Sequence, residues 1–391
     1  MYPGALTFDS QEIKSVFQVM KSKSLFRYYG PNFLGKTKYF EKKFSKFMGT
    51  RFALGTSSGT AAMLCALKAL GINHGDEVIL PTFAWASCPN AISLCGAVPV
   101  LANIDKSLTL DPDDVEKRIT KKTKAIMAVH MRGAPCDMKR LLELADKKDI
   151  RIIEDAAQCV GGIFDGKRVG SLGEVGFYSF QQNKMITCGE GGALVTNSLD
   201  LYNKALSFHD AGIPYESNRP RIPNPLLGLN FAMTEISSAI LAVQLSKLDK
   251  IIRRTRRNKL SVLNMLNNTS QIEFRDDYLQ KRIDGELGIS LVLFMPTPSL
   301  AIKFRNLLFK KNIRRLSGSF SSILYENNRD GHIFESWFKF CRFKFGKNQY
   351  SVSSEILRRA VHIDISPHDS EEDSTDIAYA INESINTLGL R

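Results

Sequence analysis

The chain has no C-x-x-C pair, and its seven cysteines (Cys65, Cys88, Cys95, Cys136, Cys159, Cys188 and Cys341) are odd in number. That pattern fits neither a disulfide framework nor a zinc site. No metal is therefore expected, a reducing compartment is implied, and most of these cysteines read as small core residues. Neither G-x-x-x-x-G-K-[ST] nor G-x-G-x-x-G occurs, so a Walker loop and a dinucleotide fingerprint are unsupported. The first residues, from Met1 to Asp9, lack a basic start followed by an apolar run, so no signal peptide is expected and the protein reads as cytoplasmic. One uncharged stretch, Val78 to Ile104, is long enough to span a bilayer. Pro81, Pro89, Gly96 and Pro99 interrupt it, which excludes one continuous lipid-facing helix and makes it buried core, with no membrane partner.

What is present is ordinary for a large soluble protein. The 391 residues are 43% apolar and 24% charged, and at roughly 150 residues per domain they suggest two or three domains. A mixed composition with 27 Gly and 14 Pro excludes disorder, collagen-like repeats and coiled coil. The net charge of +13 is uneven, with fourteen basic against five acidic residues between Ile251 and Arg315. Such a cluster attracts phosphates non-specifically. Yet Arg253, Arg254, Arg256, Arg257 and Lys259 alternate with apolar residues in a helical pattern, which reads as the solvated face of a helix. No zinc finger, RRM signature or basic zipper accompanies the charge, so no nucleic-acid partner is expected.

Short apolar runs alternate with helical patterns along most of the chain. Strands are expected at Phe52 to Leu54, Glu77 to Leu80, Val98 to Ala102, Ala125 to Val129 and Arg151 to Glu154. Val175 to Phe180 and Ala193 to Thr196 read as two more, around a Gly-rich turn. Helices are expected at Gly59 to Leu70, Ala86 to Cys95 and Met138 to Lys148. This alternation predicts an α/β fold of parallel βαβ units, with a sheet covered on both faces. Asn230 to Asn268 reads as a long helical connector. Ile289 to Phe294, Ser299 to Lys311 and a closing helix after Glu371 suggest a smaller C-terminal α/β domain. The expected division is 1–250 and 251–391.

Three features fall at strand ends, where open parallel sheets place their ligands. Gly55-Thr-Ser-Ser-Gly-Thr60 opens a helix, and small residues there let backbone amides approach an anion. An ordinary capped turn would look the same. Asp155, in Glu154-Asp-Ala-Ala-Gln158, follows an apolar strand, and a carboxylate there can keep a ring nitrogen protonated. It could equally cap the next segment. Lys184 is the one charge between Phe177 and Thr187; desolvation lowers an amine's pKa and favours imine formation with a carbonyl, while a solvent-exposed turn is the duller alternative. A phosphate cradle, an acid for a ring nitrogen and an imine-forming lysine are together what pyridoxal phosphate requires of a protein. Trp85 adds a flat face for stacking, or a buried core indole.

With these residues in place, the chain resembles the DegT/DnrJ/EryC1/StrS family of fold-type I, pyridoxal-phosphate-dependent sugar aminotransferases over nearly its whole length. The carrying motifs are Glu154-Asp-Ala-Ala-Gln158 and Ser179-Phe-Gln-Gln-Asn-Lys184-Met-Ile-Thr-Cys-Gly-Glu-Gly-Gly192, with Leu229 to Glu235 and Arg359 to Pro367 beyond them. The resemblance implies a large domain with a mostly parallel seven-stranded sheet. It assigns Lys184 to the covalent link with the cofactor and Asp155 to the pyridinium nitrogen. Gln158 is implied at the ring hydroxyl, Ser179 with the amides of Gly59 and Thr60 at the phosphate, and Trp85 at the ring face. Asn230 is implied to reach the phosphate of a neighbouring subunit, hence a homodimer with shared sites. Where the family carries Arg after the aromatic of its N-[YF]-R motif, this chain has Ala232.

Lysine at position 184, where some members carry a dehydrating His, implies transamination from an amino acid, L-glutamate or L-glutamine, to a keto-sugar or keto-cyclitol. A lyase or dehydratase using the same residues is the alternative, and a basic nucleic-acid-binding regulator a remote one. His130 to Pro135 and Ser179 to Gln182 resemble branches acting on keto-inositols, whereas Gly331 to Trp337 resembles branches acting on keto-sugars. Tyr29, Arg132 and the loop from His209 to Pro220 are candidates for the acceptor pocket.

Overall fold

A computed structural model describes residues 3–212, 222, 225–267, 269–311, 313 and 350–390. Gly331 to Trp337 and most of the His209 to Pro220 loop lie outside the described residues.

Seven strands form the larger sheet: β1 (Phe52–Thr56), β2 (Glu77–Pro81), β3 (Val98–Ala102), β4 (Thr123–Val129), β5 (Arg151–Asp155), β8 (Val175–Ser179) and β9 (Gly192–Thr196). Between β5 and β8 lies a small hairpin of β6 (Ile163–Phe164) and β7 (Lys167–Arg168). The order across the large sheet is β1-β9-β8-β5-β4-β2-β3. The pairs from β3 through β2, β4 and β5 to β8 are parallel, and β9 is antiparallel to both its neighbours. The expected mostly parallel seven-stranded sheet is therefore present. Its strands are the β-branched and apolar runs legible in the sequence, and most of their residues are buried because helices cover both faces.

One covering layer packs Ala62, Cys65, Ala66 and Leu67 of the helix Gly59–Ala69 against Leu54, Leu80 and Phe177. On the other side, Met138, Leu141 and Ala145 of the helix Met138–Lys148 pack on Ile126, Ala128 and Ile152. Phe40, Phe44 and Met48 of the helix Lys36–Met48 meet Tyr178 and Phe180. Val78 to Ile104 is largely buried as expected, although Trp85 and Leu94 are exposed. No helix among the described residues is long and apolar enough to cross a membrane.

The expected long helical region begins later than its apolar pattern suggested, as the helix Glu235–Asn264. Residues 230–232 stay extended because isolated bridges tie Asn230 to Asp210 and Ala232 to Thr56. Thr234 then caps the helix, its Oγ1 accepting the Ser237 N–H at 3.2 Å. Leu241, Leu245 and Leu248 pack on the large sheet's side. Val262 packs with a second core built on the sheet β10 (Glu273–Phe274), β11 (Ser290–Phe294) and β12 (Ala360–Asp364). This antiparallel sheet carries the helices Pro298–Lys310 and Glu371–Thr387. The helix thus runs from one core to the other, and residue 250 lies inside it.

The solvated-face reading of the basic stretch needs correction at Lys259. Arg253, Arg254 and Arg257 are exposed, but Lys259 is 3% exposed. Its Nζ is 2.6 Å from Asp276 and 3.2 Å from Glu286, which also holds the fully buried Arg275 at 3.0 Å. A charge so deep is tolerated only because opposite charges accompany it.

Candidate active site

In this topology β1, β2, β3, β4, β5 and β8 all run the same way, so their C-terminal ends share one edge of the large sheet. The sequence-predicted groups gather there. Thr56 and Ser179 both pair with Gly192, which brings the small-residue loop after β1 beside the end of β8. The approach is close: a Cβ on Gly59 would lie 2.8 Å from the Ser179 Cβ, so glycine is required for the contact.

Ser58 caps the helix Gly59–Ala69 through its Oγ, which accepts the Ala61 N–H at 3.1 Å. The N–H groups of Gly59 and Thr60 have no acceptor among the described residues. Two uncommitted amides at the N-terminus of an eleven-residue helix, with Ser179 alongside, fit an anionic group of phosphate size.

Asp155 ends β5 and is buried. Its Oδ1 accepts the Ala157 N–H at 3.0 Å, so it does cap the next segment, and its Oδ2 accepts the Cys88 S–H at 3.3 Å. Burial pushes its carboxyl above the usual carboxylate range, against the pull of these donors and of Lys184. Lys184 sits in the irregular turn between β8 and β9, where its N–H donates to the Gln181 carbonyl at 2.9 Å and its own carbonyl accepts from Gly4. Burial brings its amine below the usual lysine range, and Asp155 opposes that shift. The two groups thus feel each other's charge across the sheet edge.

The other candidates are placed as follows. Gln158 is half-buried one turn beyond Asp155, and its Oε1 accepts the Arg132 N–H at 3.2 Å. Trp85, just beyond β2, is 64% exposed, which removes the buried-core alternative and leaves an indole face unpacked at this edge. Asn230 is exposed beside the same edge, near Ser57, whose N–H donates to the Phe231 carbonyl at 2.7 Å. Its side chain hydrogen-bonds the Ala232 N–H and, among the described residues, reaches none of the other candidates.

Sequence reasoning did not single out Cys88, which looked like core, or Arg275, whose burial no local pattern announces. Cys88 is both buried core and a donor to Asp155. Arg275 donates to the carbonyls of Met131 and Arg132 at 3.3–3.4 Å and so braces the loop after β4. Only the tertiary contacts, within the large-sheet layer for Cys88 and between the two sheets for Arg275, could reveal either.

Sheet order and the shared edge of strand ends define the fold-type I architecture. The DegT/DnrJ/EryC1/StrS aminotransferase family matches residues 7–282, and the chain belongs to that family. It is 42% identical over 218 residues to GDP-perosamine synthase of Vibrio cholerae, covering 56% of this chain and 59% of that relative. It is 39% identical over 227 residues to L-glutamine:2-deoxy-scyllo-inosose aminotransferase of Streptomyces kanamyceticus, covering 56% of this chain and 53% of that one. The matched region thus spans little more than half the length of either relative. Among solved structures, the aminotransferase from Psychrobacter cryohalolentis superposes with a TM-score of 0.82 at 24% identity, over 100% of this chain and 99% of that one.

Proposed function

We propose that the protein is a pyridoxal-phosphate-dependent aminotransferase that moves an amino group from an amino acid, L-glutamate or L-glutamine, to a keto-sugar or keto-cyclitol in amino-sugar biosynthesis. The observation that carries this reading is the meeting of Lys184 and Asp155 at one sheet edge, beside two uncommitted helix N-terminal amides.

Pyridoxal phosphate, when bound, supplies a reactive aldehyde and a ring that accepts electrons from the substrate carbon. The amides of Gly59 and Thr60 with Ser179 would hold its phosphate, Trp85 would offer its indole face to the ring and Gln158 would serve the ring hydroxyl. Asp155 would hold a proton at the ring nitrogen, and its two donors oppose the burial that favours its neutral acid. Lys184 is the amine that would hold the aldehyde carbon between turnovers. Its amine, whose pKa burial lowers, would take the proton from the Cα of the donor and deliver it to the carbon that had carried the aldehyde, and the same transfer run in reverse would complete the second half of the reaction.

The named relatives support both acceptor classes, one by a nucleotide-sugar product and one by a cyclitol. A homodimer is part of the proposal. Ile13, Phe17 and Met20 form a stripe on the helix Ser10–Ser22, at 72%, 63% and 53% exposure, and a second copy would cover it. Buried, unpaired thiols such as Cys65, Cys88, Cys136 and Cys159 accord with the cytoplasm.

The test is the visible spectrum of the purified protein before and after L-glutamate. We expect an imine band that gives way to the aminated form of the cofactor, and Lys184→Ala should lack both the band and turnover. A band unmoved by glutamate, glutamine or alanine would point to a lyase or dehydratase. Absence of any band after adding pyridoxal phosphate would overturn the reading.

A further inference from the structure

Arg132 lies just beyond β4, in the left-handed region at φ +53°, a conformation that non-glycine residues rarely adopt. Several contacts hold it there. Its N–H donates to Gln158 at 3.2 Å, and its carbonyl accepts from Arg275 at 3.3 Å. The neighbouring Gly133 carbonyl accepts the Leu287 N–H at 3.0 Å. Backbone strain fixed from both sheets at once marks a side chain whose direction matters.

That side chain crosses to the small sheet. Its Nη2 donates to Asp364 on β12 at 2.5 Å and to Ser290 on β11 at 3.4 Å. Its Nε is buried without an acceptor, and Nη1 makes no hydrogen bond among the described residues. His362 lies two residues before Asp364, so both side chains share one face of the strand. It is 1% exposed, with neither ring nitrogen hydrogen-bonded and its ring 6.3 Å from that of Phe83 beyond β2. Uncommitted donors thus collect where the small sheet meets the catalytic edge. Arg132 is also the cation whose charge acts on Lys184.

We infer that Arg132 binds the carboxylate of the amino-acid donor, and of the 2-oxo acid formed from it, with Asp364 as the carboxylate that occupies it at rest. This inference rests on the aminotransferase reading. The donor's carboxylate is attached to the carbon that Lys184 deprotonates, so its anchor must lie beside that amine. Arg132 fits this condition through Gln158, which lies one turn beyond Asp155 and whose Oε1 accepts its N–H at 3.2 Å, and its guanidinium has donors to spare. Asp364 already shows the chemistry, a carboxylate on the guanidinium, and an incoming substrate competes with it for the same charge.

The test is calorimetric titration of the cofactor-loaded protein with 2-oxoglutarate, which binds the resting form without turnover. L-Isoglutamine, in which the α-carboxylate is an amide, and GDP serve as controls. Arg132→Met should weaken 2-oxoglutarate roughly tenfold or more, Arg132→Lys less, with L-isoglutamine and GDP unchanged and the visible band intact. Asp364→Asn should tighten 2-oxoglutarate several-fold by removing the competitor; unchanged or weaker binding in that variant would sink the inference. So would Arg132→Met that binds 2-oxoglutarate like its parent, or that loses GDP instead, which would make Arg132 an acceptor residue. If the unaltered protein gives no band with pyridoxal phosphate, the aminotransferase reading fails and takes this inference with it. A normal band with any of the other adverse results removes the inference alone.

Discussion

Asp155, the proposed partner of the ring nitrogen, costs the fold something. Its carboxyl is driven above the ordinary value of 3.8 by burial, so the folded protein binds this proton more readily than the unfolded chain does. Stability from this group is therefore present at low pH and is lost as pH rises through the raised folded value. Asp155→Asn keeps the shape without the charge. At pH 7 the cofactor-free variant should melt above its parent, and the difference should shrink as the pH is lowered into the acid range. Differential scanning calorimetry at several pH values decides this, and a less stable variant at pH 7 would contradict the sign. Turnover should fall on the order of 10²-fold or more, because the ring nitrogen loses its charged partner. Lys184 has the mirrored logic: burial lowers its pKa, and its contribution to stability is present at high pH and lost as pH falls through that lowered value.

Among the elements, the helix Glu235–Asn264 and the segment from Glu273 to Ser290 are joined by charge rather than by apolar packing alone. Lys259, Arg275, Asp276 and Glu286 are each within 3.2 Å of an opposite charge. Removing one member leaves the others uncompensated in a low dielectric. Glu286→Ala should therefore destabilise by about 3–5 kcal/mol, read as a shift of the urea midpoint, whereas Arg253→Ala on the exposed face should change it little. Loss of Glu286 also frees Arg275, so the loop carrying Arg132 should loosen as well. The five main parallel strands were legible because each is a short apolar run bounded by turn residues. Residues 230–232 were not, since their extended course depends on Asp210 and Thr56, distant partners that apolar periodicity does not register.

For the whole molecule, the proposed dimer makes the outer face of the helix Ser10–Ser22 the place to look. Its inner side is committed: Glu12 binds Lys247 at 2.7 Å, and Ser15 donates to the Ala239 carbonyl at 3.0 Å. Phe17→Asp together with Met20→Lys should convert the dimer to monomer in sedimentation velocity, with the fold retained. Dimerisation unaffected by both charges would exclude this face. The excess of +13 is also a property of the whole molecule, and none of it comes from the buried cluster, where Lys259 and Arg275 are balanced by Asp276 and Glu286.

Much of the site could be read from the chain alone, because each part is local: a lysine in an uncharged turn, a carboxylate ending an apolar strand, small residues opening a helix. Backbone chemistry and side-chain type act within a few residues, and the linear order preserves them. Which of these parts share one edge was decided by strand order, in which β8 and β9 enter between β1 and β5. Long-range pairing likewise exposed Trp85, buried Lys259 among acids, and carried Arg132 across to Asp364. Those outcomes depend on which surfaces exclude water from one another, and that is a property of the packed sheets.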